Sequence, residues 1–117
     1  MDIGYYQQLA LRAEAEKLDA IFFADSPSLA ESGPEGLRIR FEPITWLAAI
    51  AAVTPRIGLI ATATTTYNEP YHVARKFASL DHLSGGRAGR TLVPSDAAAP
   101  AQNFGGHEHL CHAARFS

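Results

Sequence analysis

The sequence predicts an α/β fold: about three βα units with parallel strands, forming part of a (β/α)8 TIM barrel. Three observations carry that prediction. Short apolar runs of strand length alternate with segments of helical length and spacing. Crossovers of that length join parallel strands, not hairpins. Third, such a short strand set makes a poor open doubly wound sheet, whereas a closed barrel needs roughly 250 residues. The 117 residues are therefore expected to be a piece of the closed form, near its second to fourth βα units. Residues 1–117 read as a single partial domain with no internal boundary.

The elements follow in order. Residues 5–18 (YYQQLALRAEAEKL) place Tyr6, Leu9, Ala13 and Leu18 near helical spacing. The run 20-AIFFAD-25 is continuous, apolar and closed by Asp, the pattern of a strand covered on both faces. Ser, Pro and Gly breakers make 26–41 a loop. Pro43 suits a first helical turn, and 44-ITWLAAIAAVT-54 continues as an apolar helix ended by Pro55 and Arg56. A second strand is 57-IGLIATAT-64. After a corner at Tyr67–Pro70, 71-YHVARKFASLDHL-83 sets Val73, Phe77 and Leu80 on one side of a helix that stops at Ser84-Gly85-Gly86. A third strand, 90-RTLVPS-95, is weakened by Pro94. Residues 96–106 read as a loop, and 107-HEHLCHAARFS-117 opens another helix.

Composition excludes several functions. A net charge of −2 with scattered basic residues offers nothing to nucleic acid. The apolar window 44–53 is about half a membrane span, and the N-terminus lacks the pattern of a secretory signal. The single cysteine, Cys111, forbids an internal disulfide and fits a reducing compartment, so a cytoplasmic location is expected.

Chemistry concentrates at strand ends, where parallel α/β folds bind ligands. Asp25 closes the first strand, although ending a strand is also an ordinary use of Asp. Thr62, Thr64, Thr65 and Thr66 reach the same edge of the second, although β-branched Thr also simply suits a strand. His107, His109, Cys111 and His112 crowd around Glu108 and invite a metal reading. Their spacing is HExxC where a helical zinc pair needs HExxH, and no distant ligands are evident. The string 83-LSGGR-87 approaches a transporter ATPase signature, but no P-loop accompanies it. Gly85 and Gly86 are better read as a helix-to-strand turn. Neither GxGxxG nor GxSxG occurs.

Taken together, 20-AIFFADS-26, residues 42–89 and 103-NFGGHEHLCHAARF-116 resemble the bacterial-luciferase-like flavin-dependent monooxygenases. The likeness is to the nitrilotriacetate monooxygenase and dibenzothiophene-sulfone monooxygenase branch, and it covers nearly the whole chain. The resemblance implies a TIM barrel in which reduced FMN, supplied by a separate NADH-dependent flavin reductase, reacts with O2 to oxygenate a small organic substrate. It also implies a homo-oligomer and FMN contacts at Asp25, Thr62, Ser95 and His112. It points to no general base.

Departures accompany the likeness. Where the family has Gly-Trp-Asn-Val-Val-Thr-Ser, this chain reads 89-GRTLVPS-95, so Arg90-Thr91 replaces Trp-Asn and Pro94 removes a backbone donor. Phe116 stands where a Tyr is usual. The first strand and everything after the fourth unit are expected to be missing, leaving the chain inactive alone. The alternative expectation is a non-catalytic, self-associating or partner-binding remnant of the same fold.

Overall fold

A computed structural model of the chain describes residues 2–25, 41–65 and 68–94. Their order is α1 (Ile3–Ala15), β1 (Ala20–Phe23), α2 (Pro43–Ala51), β2 (Gly58–Thr64), α3 (Pro70–Ser84) and β3 (Ala88–Val93). The alternation expected from the sequence is present.

Capping fixes where the helices start. The Asp2 carboxylate accepts the Gly4 N–H at 2.9 Å to open α1. Glu42 opens α2, accepting from the N–H of Ile44 at 3.1 Å and of Thr45 at 2.8 Å, with Pro43 in the first turn. Helix α2 ends at Ala51, before Thr54, because Pro55 disfavours helical backbone in the residue ahead of it. At the end of α3, Gly85 (φ 70°) and Gly86 (φ 86°) take left-handed backbone. Their N–H groups bond His82 and Asp81 carbonyls in a Schellman turn, the helix-to-strand role expected of them.

The strands are parallel and lie in the order β1-β2-β3. Leu59, Ala61 and Ala63 face the helices and pack with Leu47, Ile50, Val73, Phe77 and Leu80. The alternate positions, including Ile60 and Thr62, face the other way. Helices on one side and strands in sequential order are the geometry of a barrel arc; a doubly wound sheet would carry helices on both faces.

Three expectations need correction. Strand β1 is not covered on both faces, for Phe22 is 54% exposed on the side away from the helices. The buried stripe of α1 is Ala10 and Glu14, flanked by Tyr6 and Ala13, while Leu9 (49%) and Leu18 (58%) are exposed. The helix stops at Ala15, so Leu18 lies beyond it, and Glu14 is drawn inward by backbone donors. Finally, β3 begins at Ala88 and ends at Val93, leaving Pro94, which has no N–H to donate, outside the strand.

Candidate functional site

The carboxyl ends of β1 and β2 lie side by side, with Phe23 paired to Ala61. Asp25 follows β1 by two residues and is half-buried; Thr62 is one residue beyond Ala61 and is also half-buried. The structure therefore brings Asp25 and Thr62 to one edge of the sheet. Ser95, His112 and the His107–His112 group lie outside the described residues, as do Thr66 and Tyr67. Among the described residues no cluster of His, Cys, Asp or Glu could hold a metal ion.

The corner after β2 is tied down from two directions. The Thr65 N–H donates to the Val93 carbonyl at 2.8 Å, extending the β2–β3 pairing past the end of the strand. The Asn68 side-chain amide, just before α3, donates to the Thr64 carbonyl at 2.9 Å. Thr64 itself is buried.

Below this edge, the face away from the helices is layered. Phe22, Ile60 and Gly89 occupy one row across the strands. A Cβ on Gly89 would lie 3.1 Å from Ile60 Cγ1, so Ile60 fills the space that a β3 side chain would take. One row nearer the carboxyl ends, Thr62 pairs with Thr91. An apolar floor thus lies beneath hydroxyls, with a carboxylate at the rim. This donor set fits a flat heteroaromatic group with a polar edge.

The opposite edge holds two residues that sequence reasoning missed. Glu14 is 9% exposed and accepts from the N–H groups of Arg56 at 2.8 Å and Ile57 at 2.9 Å. Burial raises its pKa, but those two bonds, with the Arg56 and Arg87 charges, outweigh burial and hold it below the ordinary carboxylate value. The Arg87 guanidinium donates to the Ala51, Thr54, Ile57 and Ser84 carbonyls and to the Thr54 hydroxyl. It joins the ends of α2 and α3 to the start of β2. Glu14 falls four residues after Ala10 on the helical period, a legible signal; nothing local marks Arg87. A groove of about 530 Å3 between α2 and α3, lined by residues such as Ile44, His72 and Lys76, lies in the helical layer and includes neither Asp25 nor Thr62.

A one-sided arc of parallel βα units, with Asp25 and Thr62 near the carboxyl ends of the strands, is the geometry of part of an α/β barrel. The match to the family described as Luciferase-like monooxygenase runs over residues 1–116, and the chain belongs to that family. It is 52% identical over 99% of its length to N-acetyl-S-(2-succino)cysteine monooxygenase of Bacillus subtilis. It is 46% identical over 99% to nitrilotriacetate monooxygenase component A of Aminobacter aminovorans, and 42% over 96% to dibenzothiophene-sulfone monooxygenase of Rhodococcus erythropolis. The chain spans 26%, 28% and 27% of those relatives, respectively.

Solved structures agree. EDTA monooxygenase from Chelativorans superposes with a TM-score of 0.90 at 38% identity, over 98% of this chain and 28% of that one. A riboflavin lyase, solved with modified FMN and riboflavin, superposes with a TM-score of 0.86 at 32% identity, again over 98% and 28%. The predicted fold class, part of a luciferase-like TIM barrel, is confirmed by these matches.

Proposed function

We propose that the chain contributes one side of the flavin site in an FMN-dependent monooxygenase that oxygenates a small organic substrate. The observation that carries this reading is the position of Asp25 and Thr62 near the carboxyl ends of adjacent strands, one row or more beyond Phe22 and Ile60. Family membership and the modified FMN bound in the riboflavin lyase structure support it.

When bound, reduced FMN supplies the electrons with which dioxygen transfers an oxygen atom to substrate. The protein's part is to bind and orient. Thr62 can donate to or accept from the ring, and Asp25 can accept from a ring N–H or a ribityl hydroxyl. Phe22 and Ile60 keep water from the ring face. Ser95 and His112 are proposed further contacts, by resemblance. A separate NADH-dependent reductase is the proposed source of reduced FMN, the setting a homo-oligomer in the cytoplasm.

Anaerobic titration of the purified chain with reduced FMN, with mass analysis by size exclusion, tests the reading. Saturable binding that is lost in Asp25→Ala and His112→Ala is expected. With the remaining barrel units supplied, a folded protein that takes up no FMN would refute it. The exposure of Phe22 favours a second reading, a self-associating or partner-binding role without catalysis. A stable oligomer that binds no flavin would support that alternative.

A further inference from the structure

We propose that Trp46, Tyr6 and Tyr5 form a one-electron relay that carries oxidising equivalents from the carboxyl ends of the strands to the protein surface. The inference rests on the flavin reading above, because dioxygen activation is the source of the oxidant that the relay drains. An unbroken chain of aromatic rings makes the path. Phe23, the last residue of β1, stacks on Trp46 of α2 with ring centroids 4.2 Å apart. Trp46 meets Tyr6 of α1 edge-on at 4.4 Å, and Tyr6 meets Tyr5 at 5.2 Å. The inner end lies two residues before Asp25, and the outer end, Tyr5, is 61% exposed.

The chemistry of the rings is ordered along this chain. The Trp46 Nε1–H is buried and has no hydrogen-bond partner among the described residues. For packing alone that is a cost, since Phe would fill an aromatic site without stranding a donor. For electron transfer it has a use. An oxidised indole ordinarily sheds its Nε1 proton to an acceptor; here it meets none and stays a radical cation, the more strongly oxidising form. It therefore draws an electron from the touching Tyr6. Tyr6 is half-buried and Tyr5 exposed, so the chain ends where a phenol can release its proton to water.

The electrons balance. An oxygen-centred radical at the site gains one electron from Trp46 and becomes an anion. Trp46 recovers that electron from Tyr6, which sheds its phenolic proton to water. Tyr5 then reduces Tyr6, which takes a proton back while Tyr5 loses its own. A small-molecule thiol in solution returns an electron and a proton to Tyr5, and pairs of the resulting thiyl radicals close to disulfides.

Pulse radiolysis of the flavin-free chain tests the relay. The azide radical oxidises indole in preference to phenol, and Trp46 is the sole tryptophan. The indole radical is expected to decay as a tyrosyl radical rises, in a first-order step independent of protein concentration. Tyr6→Phe should lose that step. Tyr71→Phe should keep it, because the Tyr71 ring contacts His72 instead. Thermal midpoints establish that both variants are folded. No conversion in wild type overturns the proposal, and so does a rate that rises with protein concentration or survives in Tyr6→Phe. A second arm uses the protein with the remaining barrel units supplied and FMN bound. There Trp46→Phe should lengthen the flavin fluorescence lifetime by removing the electron donor, and an unchanged lifetime overturns the connection to the site. Failure to take up FMN overturns the flavin reading instead, and is told apart because the radiolysis contains no flavin.

Discussion

The Glu14 carboxylate receives the Ile57 N–H at 2.9 Å across 43 residues of sequence, locking α1 to the entry of β2. Its second partner, the Arg56 N–H at 2.8 Å, belongs to the same turn. This contact lies at the amino ends of the strands, away from Asp25 and Thr62, so it serves stability and stands apart from the proposed site.

Glu14 makes stability depend on pH in a defined direction. Its folded pKa lies below the unfolded value of 4.5. Its contribution is therefore complete above that value and is lost as pH falls through the folded pKa. Glu14→Gln should lower the thermal midpoint by several degrees at neutral pH, and the gap to wild type should close below pH 4.5. Thermal unfolding monitored by circular dichroism across that range measures it; a gap independent of pH would contradict this account.

Arg87 should be the costlier loss. Replacing it with Met strands buried carbonyl groups at the ends of α2 and α3, an expected cost of about 2–3 kcal/mol by urea denaturation. Lys keeps the charge but cannot form the planar fork, so Arg87→Lys should recover less than half of that loss.

Leu59 and Phe22 should separate the covered face from the open one. Leu59 is fully buried, so Leu59→Ala should cost about 2–5 kcal/mol. Phe22 is largely exposed, so Phe22→Ser should change monomer stability by no more than about 0.5 kcal/mol. A larger loss in Phe22→Ser, falling with dilution in light scattering, would show that a second copy covers this face.

Asn68 should affect the rim more than the fold. Asn68→Ala frees the Thr64 carbonyl and should cost about 1 kcal/mol. It should also weaken FMN binding, because the turn that Asn68 restrains adjoins the end of the strand carrying Thr62. Equal FMN affinity in wild type and Asn68→Ala would detach the corner from the site.

Much of this protein is determined by local sequence. Alternating strand-length and helix-length segments specified the parallel α/β class, and the Val73, Phe77 and Leu80 period specified the buried side of α3. Glu42 with Pro43, and Gly85 with Gly86, set helix ends through chemistry confined to a few neighbouring residues. The position of Asp25 at a strand end was legible for the same reason. Other features depended on residues distant in the chain. Glu14 is buried because the Arg56 and Ile57 N–H groups meet it there, against the preference of a carboxylate for water. Arg87 finds its acceptors only once two helix ends converge. The pairing of Thr62 with Thr91 follows from strand register, which no local pattern states. Periodicity decides which side of an element is apolar; tertiary packing alone decides which polar groups that side meets.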